Sequence, residues 1–203
     1  MPYERYRRDL QQEGFQHDPA QERAVQALQK VYDQLLVQPQ PVAAKKPGLL
    51  ARLTGRGQPA IAEQSPVRGL YLWGGVGRGK TYLVDTFVDA LPLQHKQRIH
   101  FHSFMRAVHA ELKQLKNQQD PLQIVARRFA EKARVICLDE FFVADITDAM
   151  LLYGLLKELF ANGVTLITTS NIPPDDLYKG GLQWARFLPA IELIKQNLDV
   201  LNV

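Results

Sequence analysis

The stretch Gly74-Gly75-Val76-Gly77-Arg78-Gly79-Lys80-Thr81 holds the residue types that grip a chain of phosphates. Glycines at 74, 75, 77 and 79 let the backbone curl so that successive N–H groups point inward, and the start of a following helix adds partial positive charge. Lys80 can then reach the terminal phosphates, and the Thr81 hydroxyl can ligate Mg²⁺. The binding stretch runs from Gly74 to Tyr82, and its implied cofactors are ATP and Mg²⁺. A glycine-rich turn without a ligand would give no reason for Lys-Thr to stand at a helix start.

A second group of residues complements the loop. Val135-Ile136-Cys137-Leu138 is an apolar run that ends in the paired acids Asp139-Glu140. Mg²⁺ takes few protein ligands and keeps several waters, so Asp139 at the end of a buried strand suits a metal-bound water. Glu140 projects differently and can orient, or take a proton from, a water attacking the γ-phosphate. Acid pairs are common as solvated charge on helices, but a pair closing an apolar strand downstream of a phosphate loop is poorly explained that way. Asn171 ends a later strand and can lend its amide to the water or the γ-phosphate. Phosphoryl transfer also gains from a positive charge beside the developing negative one, often supplied by a neighbouring molecule. Arg186 is the only arginine after Asn171.

These residues need a scaffold that brings strand ends together. Gly69–Trp73 reads as a strand before the loop, and the apolar spacing after Thr81 reads as a helix. From Arg68 onward strands and helices alternate, the signature of a parallel sheet covered by helices. A second strand is expected over Arg98–His102, with His100 and His102 on one face as ordinary half-buried histidines rather than metal ligands. A helix with Met105, Val108, Leu112 and Leu115 on one side follows, then another from Leu122 to Ala133. After the acid pair comes a helix whose buried face is read as Ile146, Ala149, Met150, Tyr153, Leu156 and Phe160, stopping at Asn162-Gly163. Val164–Asn171 is a strand, Phe187–Gln196 a helix and Leu198–Leu201 a last strand. In an open parallel sheet, ligands sit beyond the carboxyl ends of the strands, where all the named polar residues fall.

Upstream, Asp18-Pro19 reads as an N-cap with proline at the first helical position, followed by the stripe Val25, Leu28, Tyr32, Leu35 and Leu36. Met1–Asp9 reads as a solvated charged end, although Arg5, Arg7 and Arg8 could touch an anionic surface such as the inner membrane. Residues 38–66 are rich in proline, glycine and lysine, with a short apolar island at Leu49–Leu53, and read as a surface linker. The expected division is therefore 1–66, helix and linker, and 67–203, nucleotide-binding core.

With 203 residues, 46% of them hydrophobic, the chain can build one sizeable α/β core. The formal charge of +4 comes from interspersed basic and acidic residues and gives no nucleic-acid stripe. Cys137 is the single cysteine, which excludes an internal disulfide and fits a reducing compartment. No apolar run approaches bilayer length, and the expected location is cytoplasmic.

Together the motifs resemble those of AAA+ P-loop ATPases, with Gly74–Thr81 as Walker A, Val135–Glu140 as Walker B and Asn171 as sensor 1. Leu138–Met150, Thr169–Pro174 and Phe187–Ile191 resemble, more specifically, the ZapE-type family of bacterial cell-division ATPases, whose relatives occur in mitochondria. The likeness runs from about Tyr6 to the last residue. It implies an α/β fold with an αβα core and five parallel strands, and an oligomeric ATPase that meets the division ring and acts on the FtsZ polymer, without nucleic acid. It also implies a pore-facing loop at Phe104 and Met105, for which helix core is the alternative. Two departures stand out. Trp184 occupies the place where the family pattern has an arginine, leaving Arg186 as the candidate finger. The family's C-terminal helical lid is absent from this chain, so the nucleotide would be covered on one side only. Rival readings are a helicase loader, a nucleotide-binding adaptor without turnover and a small-molecule kinase.

Overall fold

The computed structural model describes residues 1–12, 14–38 and 66–203; the expected linker between 39 and 65, with its apolar island, lies outside them. Five strands form one parallel sheet: β1 Gly69–Trp73, β2 Lys96–His100, β3 Val135–Asp139, β4 Thr165–Ser170 and β5 Leu198–Asn202, in the order β2-β3-β4-β1-β5. Helices α1 Pro2–Asp9, α2 Pro19–Val37 and α3 Lys80–Ala90 share an apolar cluster with one face, to which Leu70, Leu72, Val135, Cys137 and Ile167 contribute. Helices α4 Phe101–Gln114, α5 Pro121–Lys132, α6 Ile146–Ala161 and α7 Trp184–Asn197 cover the other, with Tyr71, Ile136, Leu138 and Leu166 pointing into it. The period-two alternation of the strands thus feeds two separate cores, and β1, β3 and β4 are buried on both sides.

Local signals account for the element ends. The Asp18 side chain accepts from the Ala20 N–H at 2.8 Å with Pro19 in the first turn, and Asp145 caps α6 through the Asp148 N–H at 3.0 Å. Gly163, in the left-handed region at φ +79°, ends α6 and releases the chain into β4.

Several expectations need correction. The charged N-terminus is a helix, not a solvated end: Tyr6 is fully buried and Arg5 pairs with Asp89 at 2.8 Å. Leu36, expected in the α2 stripe, is exposed, while Val25, Leu28, Tyr32 and Leu35 are buried. The second strand begins and ends two residues earlier than expected because β2 is an edge strand whose long polar side chains, Lys96 and Arg98, stay half-buried. Phe101, which looked like strand, opens α4 and packs in the core. His100 and His102 are exposed, with stacked rings 5.9 Å apart, rather than half-buried on one strand. Phe104 and Met105 are buried in α4, so they form core and not a surface loop. On α6 the buried face is Ala149, Leu152, Leu155, Leu156, Leu159 and Phe160, and Tyr153 is exposed. Its segment is apolar nearly all round, which leaves the face undetermined by sequence. Helix α7 starts at Trp184, three residues before the expected Phe187. Among the described residues no helix is long and apolar enough to cross a membrane.

Candidate active site

The phosphate loop leaves β1 and closes at the first turn of α3. Gly74 (φ +153°) is hemmed in by the last strand, since a Cβ there would stand 2.2 Å from the Val203 carbonyl oxygen. Gly79, at φ +81°, is the left-handed N-cap of α3, and a Cβ on it would meet the Gln21 amide nitrogen at 2.6 Å. The loop is braced from outside. Gln21 donates to the Arg78 carbonyl at 3.1 Å, and the Arg78 guanidinium bonds Asp18 at 3.1 Å and the Val203 carbonyl at 3.3 Å. Arg78 therefore ties the loop to the N-cap of α2 and to the end of β5. Val76 is exposed at the loop tip and Gly75 and Gly77 stand with it.

Lys80 is mostly buried, and its Nζ donates to the carbonyls of Gly74 at 2.6 Å and Gly75 at 2.7 Å. Burial, helped by the charge of Arg78, lowers its pKa from the ordinary lysine value. An ammonium ion held by two loop carbonyls inside a glycine loop is poised to exchange them for phosphate oxygens. Tyr82 faces the other way: its hydroxyl donates to Asp9 at 2.5 Å, and burial with that bond pushes its phenol up to about 12.

Beside the loop, Thr81, Arg98, His100, Asp139, Glu140 and Thr169 line one cleft of about 380 Å³. Asp139 ends β3 and is largely buried. Its Oδ2 accepts from Arg98 Nε at 2.6 Å and its Oδ1 from the Thr169 hydroxyl at 3.4 Å. Glu140 leaves the strand in the left-handed region at φ +56°, with an exposed carboxylate 3.7 Å from His100 Nδ1. That conformation is unfavourable for a non-glycine residue and is held by its N–H, which donates to Thr169 Oγ1 at 3.1 Å. The next residue is fixed too, because the Phe141 N–H donates to the Thr169 carbonyl at 2.7 Å and the Ser170 hydroxyl to the Phe141 carbonyl at 2.8 Å. Strand β4 thus dictates where the acid pair points.

The structure brings Thr81, Asp139 and Glu140 together and leaves Lys80, held on the loop carbonyls, Asn171 and Arg186 outside the cleft lining. Asn171 is exposed one residue beyond β4, next to the loop in the sense that the Gly74 N–H donates to the Ser170 carbonyl at 3.2 Å. Arg186 is exposed on the first turn of α7, where it donates to Gln183 Oε1 at 2.7 Å. Trp184 packs on the α6–α7 core, and its buried indole N–H has no partner. A further cavity of about 570 Å³ flanks the loop on the α2 side, bounded by Phe15, His17, Asp18, Gln21, Gly79 and Tyr82.

Sequence reasoning missed Arg98, Thr169 and the Phe15–Asp18 segment. The alternation Lys96-Gln97-Arg98-Ile99-His100 puts three bases on one strand face and could have signalled Arg98. Thr169 and the Phe15–Asp18 turn carry no such signal, since their roles depend on neighbours distant in sequence.

The oxygen donors present suit a hard cation. Thr81 offers a hydroxyl and Asp139 a carboxylate, the ligand types that hold Mg²⁺ beside a phosphate chain.

Comparison with known proteins fits this geometry. The chain is 54% identical over 204 residues to the cell division protein ZapE of Escherichia coli K12, covering all of this chain and 54% of that protein. It therefore spans about half the length of the curated relatives that it matches first. Among solved structures, the DnaC helicase loader superposes with a TM-score of 0.58 at 16% identity, over 98% of both chains. AMPPCP-bound DnaA from Aquifex aeolicus gives 0.57 at 13% identity, over 92% of this chain and 48% of that one. Likenesses this distant show the fold alone, that of a P-loop AAA+ core. The model of the AFG1-like ATPases matches residues 1–203 from end to end, and with the phosphate loop, acid pair and five-stranded parallel sheet in place, the chain belongs to the AFG1-like ATPase family.

Proposed function

We propose that this chain is the nucleotide-hydrolysing core of a Mg²⁺-dependent AAA+ ATPase that remodels a protein partner of the division machinery, the FtsZ polymer being the expected one. The observation that carries the reading is the single cleft in which Thr81 of the phosphate loop meets Asp139 and Glu140. The loop amides and Lys80 hold the triphosphate, and the cavity beside Phe15, Gly79 and Tyr82 has room for the base. Mg²⁺, when bound, neutralises phosphate charge and orients the triphosphate. Thr81 and Asp139 are the residues that would hold it. Glu140 is the general base: its carboxylate is exposed to the cleft, its backbone is pinned by Thr169, and it takes a proton from the attacking water. Asn171, at the neighbouring strand end, aligns that water.

The developing negative charge calls for a cation from outside the protomer, because Arg78 is tied to Asp18 and Val203 and Arg98 to carboxylates. Arg186, exposed at the start of α7, is the residue a second copy of the chain would offer. Trp184, half-buried against the core where the family pattern has arginine, favours one second reading: an adaptor that binds nucleotide and turns over little. Turnover per molecule measured against protein concentration, with sedimentation alongside, separates the two. A rate that climbs with assembly and vanishes in Glu140→Gln supports a composite hydrolytic site. Saturable binding with no turnover at any concentration rejects hydrolysis in favour of the adaptor.

A further inference from the structure

Thr81 and Asp85 stand four residues apart on α3 and so share one face of the helix. Arg98, on the edge strand β2, lies between that face and the end of β3. Its Nε donates to Asp139 Oδ2 at 2.6 Å and its Nη1 to Asp85 Oδ1, and it lines the same cleft as Thr81 and Asp139. One guanidinium thus bridges two carboxylates from different elements beside the position where the metal would sit.

We propose that Arg98 is a built-in cation that keeps Asp85 and Asp139 from binding a divalent ion by themselves, so that the ion enters only with the triphosphate. The proposal rests on the nucleotide site described above. Two carboxylates converging from separate elements beside a hydroxyl are the ligands that Mg²⁺ and Mn²⁺ choose, and affinity rises with the number of uncompensated charges. With Arg98 in place, the group carries one net negative charge instead of two. One oxygen of each carboxylate is already occupied by an N–H donor. What remains for an ion is the Thr81 hydroxyl, the second oxygen of Asp85 and Asp139 Oδ1, the last of which also receives the Thr169 hydroxyl at 3.4 Å. That falls short of the six oxygens that an octahedral ion needs, and phosphate oxygens and waters must supply the rest. Arg98 acts through Asp85 and Asp139 and is therefore a positioning residue. Its effect is to make metal and nucleotide arrive together, which prevents a bare ion from locking the loop side of the cleft.

Mn²⁺ titration of the nucleotide-free protein, read by the loss of free-ion EPR signal, tests this. The wild-type chain should show no site at this position, while Arg98→Gln should gain one, with affinity higher by roughly tenfold or more for the added ligand charge. Arg98→Lys keeps the positive charge and should stay like wild type. Arg98→Gln with Asp85→Asn should lose the gained site again. A gain in Arg98→Lys equal to that in Arg98→Gln, or no gain in Arg98→Gln, would overturn the proposal. If Arg98→Gln melts too low to titrate, Mn²⁺ must raise its melting temperature more than that of wild type, and equal shifts reject the idea. The titration uses no nucleotide, so a chain that fails to hydrolyse ATP can still pass it, and a hydrolase can still fail it.

Discussion

Thr169→Val is the most informative perturbation of the acid pair. The change is nearly isosteric at a buried position, so it removes a hydroxyl without opening a cavity. Two bonds go: a good one, Glu140 N–H to Oγ1 at 3.1 Å, and a long one, Oγ1 to Asp139 Oδ1 at 3.4 Å. Losing the first orphans a half-buried N–H at a cost of about 1–3 kcal/mol, and the second adds about 0.5 kcal/mol at most. Part of this is recovered, because Glu140 no longer has to keep φ +56°, a conformation that costs on the order of 1–3 kcal/mol. The net stability loss is therefore about 1–2 kcal/mol, measured by urea unfolding. Activity should suffer more than stability, since relaxation of Glu140 moves the base off the water: a misplacement worth roughly 1.4–2.7 kcal/mol lowers kcat by about 10–100-fold. Nucleotide affinity, set by the loop and Lys80, should stay within about threefold. Steady-state ATPase assays at saturating Mg·ATP and equilibrium binding of a fluorescent nucleotide give the two numbers. Thr169→Ser, which keeps the hydroxyl, should retain most of kcat. An unchanged kcat in Thr169→Val despite the stability loss would show that the hydroxyl merely ties two strand ends and that Glu140 geometry is not what limits hydrolysis.

Other outcomes follow from the same site. Lys80→Ala should weaken ATP binding by roughly tenfold or more in equilibrium titration, as a buried charge-assisted contact is lost. Glu140→Gln should bind ATP like the parent and lose hydrolysis by about 100-fold or more; turnover at the parent rate would remove Glu140 from its role. Trp184→Arg should raise turnover in concentrated, assembled protein, whereas no change combined with loss in Arg186→Ala assigns the finger to Arg186. Stability should fall in alkali. Burial, then the charge of Asp139, pushes the Cys137 thiol up to about 12 from the ordinary 9.0. Because the folded state favours the protonated thiol, this contribution is complete below the unfolded pKa and is lost as pH rises toward the folded one. The slope is about 1.4 kcal/mol per pH unit between those values, and Cys137→Ala should flatten it in urea midpoints measured from pH 9 to 11.

Much of the molecule was legible from the chain. The phosphate loop, the strand ending in Asp139-Glu140 and the alternation of strands and helices are local patterns, and the structure places them as read. The errors have separate physical causes. Edge strand β2 was shifted because half-buried polar residues blur alternation, and the buried face of α6 was misread because its sequence is apolar on nearly every side. Helix α1 was missed because only two buried residues, Pro2 and Tyr6, anchor an otherwise charged segment.

The sequence by itself determined which atoms are available for chemistry: loop amides, an ammonium, a hydroxyl and two carboxylates, each announced by residue type and spacing. Only the tertiary structure decided how they are held. The strand order β2-β3-β4-β1-β5 sets Thr169 of β4 under Glu140 and Arg98 of β2 against Asp139, while Gln21 and Asp18 of the N-terminal segment brace the loop through Arg78. Such contacts join residues about 30 to 60 positions apart. No local periodicity encodes them, because they arise from which strands lie side by side.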